Sequence, residues 1–331
     1  MNLVAVVIVN WNGKRFLAEC LDALRNQSFQ DFSVTLVDNG SSDGSADFVK
    51  ISYPEVEVIR LAANTGFSSA NNLVLNELET EYVALLNNDA VPHCLWLASL
   101  VMALQENREA GFAASKMCFS DNPEIIDRAG DSYTRAGAGL LRGRGMHVNT
   151  YNSREWVFGA CAGAALYRSS MFREVGFFDE DFFLINEDTD LSFRAQLSGY
   201  RCIYEPNAIV YHKTSSSIIH DSKVSIYYGH RNLEWVYIKN MPDRLLLKSI
   251  LLHVIYDIAA FFYFLTIGQG KVFIKAKVDS IMGFRKMLEK RHEIQKRRVA
   301  SDTYIWGLFD NELIIPRLTR RFIRRQRGKM H

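Results

Sequence analysis

Two well-separated polar clusters hold the residues best suited to chemistry. Asn87-Asn88-Asp89 follows the apolar run Tyr82 to Leu86, and Glu187-Asp188 lies inside FFLINEDTDLSFRAQLSGY. The first suits a divalent cation and the phosphates it neutralises; the second suits a base. A displacement in which a nucleoside diphosphate leaves a sugar needs both, a cation for the departing oxygens and a separate carboxylate to take the proton of the incoming hydroxyl.

The elements around these clusters follow from hydrophobic periodicity. Apolar runs at Leu3 to Val9, Phe32 to Val37, Val56 to Leu61 and Tyr82 to Leu86 read as buried strands. Between and after them, Leu17, Cys20, Leu21 and Leu24, and then Leu97, Leu100, Val101 and Leu104, recur at helical spacing. Strand alternating with helix predicts a parallel, right-handed α/β sheet. Each strand ends in a polar stretch: Asn10-Trp11-Asn12, Asp38 to Asp43, Asn64-Thr65-Gly66 and Asn87-Asn88-Asp89. In open α/β sheets the ligand crevice lies beyond the carboxyl ends of the strands, so these loops, with Asn10, Asn12 and Asn87 among them, should converge on one nucleotide. Residues 110 to 160 read as less regular, with Gly137, Gly139, Gly143 and Gly145 in a flexible stretch that could close over the site. Helical pattern resumes from Tyr167 to Val175, closing at Gly176, and again from Asp188 to Ser198 with Gly199 as its stop, before a strand at Ile209 to His212.

At 331 residues, with 48% hydrophobic and 23% charged positions, the chain is an ordered globular protein. Its net charge of +2 conceals an asymmetry: residues 231 to 331 carry 21 Lys/Arg against 9 Asp/Glu, and residues 1 to 230 carry 18 against 28. Long apolar runs mixed with Arg clusters in the basic part favour a phospholipid surface over nucleic acid. LLLKSILLHVIYDIAAFFYFLTIG is long enough to span a bilayer, but Lys248, His253 and Asp257 interrupt it, which points to a helix lying in or on the membrane. The tail RLTRRFIRRQRGK has seven basic residues and no acid, an attraction to anionic headgroups of about 1 kcal/mol per charge near the surface. Five scattered cysteines without a C-x-x-C pair fit a reduced compartment, and VAVVIVNWNG reads as a first strand rather than a signal peptide. The expectation is a domain over 1–230, a helical, basic, membrane-associating region over 231–331, and a cytoplasmic protein on the inner face of the cell membrane.

VAVVIVNWNG, LVDNGSSDGS, NTGFSSANN, LLNNDAV, GFFDEDFFLINEDTDLSFRAQLSGY and VYHKTSSS, taken in that order, resemble the successive signatures of family-2 glycosyltransferases with the GT-A fold. The likeness covers residues 3 to 215 and is greatest to the branch of bacterial rhamnosyltransferases and galactofuranosyltransferases. It implies a mostly parallel, Rossmann-like sheet flanked by helices. It makes Asp38 the carboxylate that hydrogen-bonds the nucleobase, as against an Asx-turn, and assigns the turn role to Asp43. It makes Asn64, Gly66 and Asn71 nucleotide-facing, the glycine permitting close backbone approach. Asn87-Asn88-Asp89 stands where the family carries its D-x-D metal motif, but only Asp89 is acidic; His212 matches a second metal ligand, so Mg²⁺ or Mn²⁺ is implied. Asp188 matches the general base of an inverting transfer, with Glu187 supporting it or binding the acceptor and Asp190 capping the helix.

The resulting expectation is metal-dependent, inverting transfer of a sugar, rhamnose from dTDP-rhamnose, to a hydroxyl of a polyprenyl-linked glycan in surface polysaccharide assembly. The alternatives are a non-catalytic nucleotide-sugar sensor or membrane scaffold on the same fold, suggested by the thinned metal motif, and a sugar nucleotidyltransferase, for which NWNGKRF is a poor activating loop.

Overall fold

The apolar runs near the N-terminus are buried along their whole length because helices cover both of their faces. The structure, a computed structural model, describes residues 2–77, 79–213 and 222–311. Strands β1 (Val4–Asn10), β2 (Phe32–Asp38), β3 (Glu57–Arg60) and β4 (Tyr82–Leu86) alternate with helices α1 (Lys14–Arg25), α2 (Ser45–Ser52) and α3 (Phe67–Leu75). They lie side by side in the order β4-β1-β2-β3, all parallel. Val4, Val6 and Ile8 pack against Leu17, Cys20, Leu21 and Leu24 of α1, whereas Val7 faces Ala70, Val74 and Leu75 of α3. Each fully buried Val, Leu or Ile there contributes roughly 1.5–3 kcal/mol.

The other half of the sheet is mixed. After β5 (Ala90–Pro92) and α4 (Trp96–Glu106) come β6 (Ala110–Phe119), β7 (Ile126–Ala129), β8 (Asp131–Thr134), β9 (Gly139–Leu141), β10 (Glu155–Val157) and β11 (Ala164–Arg168). β11 inserts antiparallel between β4 and β6, β7 pairs antiparallel with β6, and β12 (Arg201–His212) runs parallel to β6. Residues 110 to 160 are thus more regular than the sequence suggests: they supply a central strand and the β8–β9 hairpin of a separate three-stranded sheet, with Gly137 at the hairpin and Gly143 and Gly145 in the turn after β9. The apolar run at Tyr167 is strand, not helix, and α5 (Ser169–Val175) starts only after it. An apolar run this short fits a buried strand as well as a helix.

α6 (Glu187–Leu197) leads into β12, and the chain continues as α7 (Lys223–Asn240), α8 (Asp243–Thr266), α9 (Gly270–Met282), α10 (Phe284–Lys296), α11 (Asp302–Leu308) and β13 (Phe309–Asp310), which pairs with β8. The boundary read at residue 230 falls inside α7. Trp235, Val236 and Met241 join Phe158, Phe182 and Phe193 in a core that unites the C-terminal helices with α6. α8 is the one described helix long and apolar enough to cross a membrane by length and composition. Two of its polar residues face the protein: His253 bonds Glu234 at 3.0 Å and Asp257 bonds Lys277 at 2.6 Å, while Lys248 is exposed and lies over the Trp306 ring. Leu247, Leu251, Val254, Ile258, Phe262 and Leu265 are exposed on the opposite side. Glu234, His253 and Asp257 have the grouping of a cation site, but the Lys277 ammonium bonds both carboxylates and supplies the positive charge. The basic tail at 317–329 and the TSSS portion of VYHKTSSS lie outside the described residues.

Candidate active site

The strand ends converge because polar side chains tie them to one another. Asn10 is fully buried; its Nδ2 donates to Ser45 Oγ at 2.9 Å and approaches Asp38 Oδ1 and Ser41 Oγ at 3.2 Å, while its Oδ1 accepts from Asn88 Nδ2 at 2.7 Å. Asn10 therefore holds the β1, β2 and β4 loops together, its atoms committed to protein partners. Gly13 is required by this contact: a Cβ there would lie 2.1 Å from Asn88 Nδ2. Asn12, at φ 50°, pairs with the β2 loop through Ser41 Oγ and the Ser42 amide. Asp43 takes the turn role expected of it, accepting from the Ser45 and Lys14 amides at 3.0 and 2.9 Å.

Asp38 is buried at the end of β2, also within reach of Ser45 Oγ. Beside it Asn39, which the sequence reading passed over, accepts from the Thr65 amide at 2.9 Å and donates to Asn64 Oδ1 and Gly66 O. Gly66, at φ 88°, does need room for a close backbone approach, but the neighbour is protein: a Cβ would sit 2.6 Å from Phe183 O. Asn71 is buried in α3 and donates to Phe67 O at 2.9 Å. Phe178 and Phe182 are core residues, while Phe183 stacks on Tyr228. The small residues at 159–165 allow tight packing: a Cβ at Gly159 would meet Ser192 Oγ and one at Gly163 would meet the Asn87 amide.

At the end of β4, Asp89 Oδ1 lies 3.3 Å from His212 Nε2 at the end of β12, with Asn87 Nδ2 at 3.5 Å from the same nitrogen. The other ring nitrogen, Nδ1, is 3.0 Å from Asp127 Oδ2 on β7. Burial alone would lower the His212 pKa, yet the bonds to Asp127 and Asp89 raise it to about 9, so the ring is an imidazolium when no cation is bound. The donor set fits a divalent metal: one carboxylate and one imidazole converge, and Asp127 fixes the Nδ1–H tautomer that leaves Nε2 as ligand, the usual arrangement behind a metal-binding histidine. Arg144 Nη1 in turn lies 3.2 Å from Asp127 Oδ1.

The second half of the site starts at the N-terminus of α6. Asp188 accepts from the Thr189 amide at 2.7 Å, and its Oδ2 is 3.7 Å from Nη1 of Arg128, which also lies 3.2 Å from Asp131 Oδ2. Burial, with the Asp188 charge adding to it, pushes the Glu187 carboxyl up to about 8, and its Oε2 has no hydrogen-bond partner among the described residues. Burial likewise pushes Asp131 up to about 7, against the pull of Arg128. Glu187 is thus a carboxylic acid at neutral pH, able to donate a hydrogen bond. Asp190 does not cap the helix as expected. The N-cap residue is Asn186, and Asp190 is fully buried between Arg194 Nε at 2.9 Å and Lys239 Nζ at 2.7 Å, with Asn240 donating to it at 2.7 Å. Its partners lie on α6 and α7, and the two on α7, Lys239 and Asn240, could not be seen in sequence order.

Asp127, Arg128 and Asp131 are the residues in contact with His212 and with one another around the site that the sequence reading missed. The available signal was IIDRAGD, an apolar pair running into two acids around one arginine in a segment short of other landmarks.

Comparison with known proteins agrees with this geometry. The sequence matches the Glycosyl transferase family 2 profile over residues 5–176. It is 27% identical over 265 residues to an N-acetylglucosaminyl-diphospho-decaprenol L-rhamnosyltransferase of Mycobacterium tuberculosis, covering 70% of this chain and 82% of that one. Among solved structures it resembles S. aureus TarS 1-349 in complex with UDP-GlcNAc (TM-score 0.58, 17% identity, 90% of this chain and 88% of that one). It also resembles the mannosyltransferase PcManGT from Pyrobaculum calidifontis in complex with GDP-Man and Mn²⁺ (TM-score 0.55, 15% identity, 94% and 88%). At such identities the structural likeness is one of fold, a GT-A α/β sheet flanked by helices. The profile spans more than half of the 331 residues, and on that match this chain belongs to Glycosyl transferase family 2 and is a glycosyltransferase.

Proposed function

We propose that this enzyme transfers a sugar from a nucleoside diphosphate sugar to a hydroxyl of a glycan acceptor by a single inverting displacement. The observation that carries the reading is the pairing of two preorganised groups through adjacent residues of one strand: Asp127 supports the Asp89–His212 pair, and Arg128 supports Asp188. A divalent cation between Asp89 and His212 would neutralise the departing diphosphate. Asp188 takes the proton of the acceptor hydroxyl as its oxygen attacks the anomeric carbon, the bond to the diphosphate breaks on the opposite face, and configuration inverts. Glu187, protonated near neutrality, donates to an oxygen of the acceptor or donor sugar. Asp38 accepts from the nucleobase.

Rhamnose from dTDP-rhamnose is the proposed donor and a polyprenyl-linked glycan the proposed acceptor, on the strength of the relative that acts on such a lipid. The exposed apolar face of α8 supports a peripheral position on the inner face of the membrane, the helix lying along the surface with its polar side inward. The test is the melting temperature of the full chain with UDP-, dTDP- and GDP-sugars, each with Mn²⁺, Mg²⁺ or EDTA. A ligand at a hundred times its dissociation constant stabilises by about 2.7 kcal/mol. A shift with dTDP-rhamnose that EDTA removes is expected; a shift with a different sugar nucleotide rejects the donor, and one indifferent to EDTA rejects the metal.

A further inference from the structure

The segment between α5 and α6 turns through two consecutive residues with left-handed backbone, Ile185 at φ 67° and Asn186 at φ 71°, and Glu187 and Asp188 follow directly. A β-branched residue seldom adopts that conformation, because its Cβ crowds the following carbonyl, and it persists only where the surroundings impose it. The carbonyls of the segment show what imposes it. On one side α3 donates, Ser68 Oγ to Phe182 O at 2.7 Å and the Phe67 amide to Phe183 O at 2.9 Å. On the other side a single side-chain amide on α7, Asn232 Nδ2, donates to both Leu184 O at 2.8 Å and Ile185 O at 2.7 Å. Asn232 is fully buried, and its own oxygen accepts from Arg231 Nε at 2.9 Å, which fixes the orientation of the amide. Asn186 Nδ2 adds a bond to Gly229 O at 3.0 Å.

We infer that Asn232 is a positioning residue for the transfer: by clamping two successive carbonyls it holds the strained turn that presents Asp188 to the acceptor hydroxyl. It touches no substrate and acts only through the turn. The inference rests on Asp188 being the base. It also gives the C-terminal helices a part in catalysis that a purely membrane-anchoring region would not have.

The test compares Asn232→Ala with wild type in the full chain, using the sugar nucleotide that raises the melting temperature. A misplaced reacting group costs on the order of a hundredfold, so kcat should fall ten- to a hundredfold while the donor KM and the donor-induced melting shift stay within twofold. Glycine adopts positive φ freely, so Ile185→Gly in the Asn232→Ala background should restore most of the lost kcat. Should the alanine variant not fold, Asn232→Asp keeps the volume, sets an oxygen against the two carbonyls and is expected to lose kcat in the same way. A kcat within twofold of wild type overturns the inference, as does a parallel loss of donor binding or a failure of Ile185→Gly to restore turnover. Asp188→Asn, assayed alongside, separates the two claims: if it keeps near-normal turnover, the base assignment itself falls, whatever Asn232→Ala does.

Discussion

Replacing Glu187 by glutamine should make the folded protein more stable as pH rises while making the enzyme worse. The carboxyl ionises at about 8 in the folded chain because it is buried and stands beside Asp188, against 4.5 for an ordinary glutamate. Between those two values the unfolded chain has released the proton and the folded chain has kept it. The unfolded state therefore binds fewer protons, and stability falls as pH rises through this window. At about 1.4 kcal/mol per pKa unit, the penalty is absent below the ordinary glutamate range, on the order of 3 kcal/mol at pH 7, and flat above the folded value. Glu187→Gln removes the ionisation without changing the shape of the side chain. Melting temperatures of both proteins at pH 5, 6, 7 and 8 should coincide at the acid end and separate in favour of the variant by roughly 6 °C at neutrality, taking about 2 °C per kcal/mol for a large domain. Because the Asp188 charge is the second cause of the shift, Asp188→Asn should recover part of the same gain. A difference between Glu187→Gln and wild type that does not change from pH 5 to pH 8 would refute the reasoning, since it would mean that Glu187 ionises alike in both states.

Three further outcomes follow from the same geometry. Asp188→Asn should abolish transfer, with product formation down by at least about a thousandfold for a lost base, while the donor-induced melting shift survives; near-normal turnover removes Asp188 from the base role. Asp127→Asn takes the charge away from behind His212 and should raise the Mn²⁺ concentration for half-maximal activity ten- to a hundredfold, measured by titration at fixed pH; an unchanged titration means His212 does not ligate. Leu251→Asp with Ile258→Asp withdraws two exposed α8 side chains from lipid at roughly 2 kcal/mol each, so co-flotation with vesicles containing anionic lipid should weaken by more than about a hundredfold, with nucleotide binding unaffected; equal flotation would place the membrane contact elsewhere.

The parts of the fold that could be read in advance were those governed by local period and by the ends of parallel strands. Leu17, Cys20, Leu21 and Leu24 announce α1 by spacing alone, and the polar ends of β1, β2 and β4 meet where the α/β topology requires. The α6 stop at Gly199 was equally legible, and its φ of 91° explains why glycine stands there. What stayed hidden depended on partners distant in sequence. Asp127 and Arg128 look like surface charges until β7 pairs with β6 and brings them beneath His212 and Asp188. Asp190 looked like a helix cap because acids favour first turns, yet Lys239, far along the chain, draws it into the core. His253 and Asp257 looked like interruptions of an apolar helix, when they lie on the inward face of one whose apolar side is exposed; Lys248 alone stays on the outside, over the Trp306 ring.

The mixed half of the sheet has a mechanistic consequence that an all-parallel sheet would not supply as simply. The proposed inverting displacement needs the leaving diphosphate and the incoming hydroxyl on opposite sides of one carbon, so the proposed cation ligands and the proposed base must hold a fixed separation. They come from different places, the turn between β4 and β5 and the end of β12 on one side and α6 on the other. Asp127 and Arg128 are consecutive on β7, a spacing of about 3.3 Å along the strand, and each grips one half. Arg128 is registered against Met117 of β6, Asp127 lies at the irregularity that follows in the ladder, and the peptide bond between them ties the two placements together. Buried charge is costly unless paired, and here the pairing does the positioning: Arg128 faces Asp131 and Asp188 together. With burial pushing Asp131 up to about 7, that acid is protonated in mildly acidic solution, and the guanidinium charge is then left to Asp188. The same arginine thus ties the α6 terminus that carries Asp188 to β7.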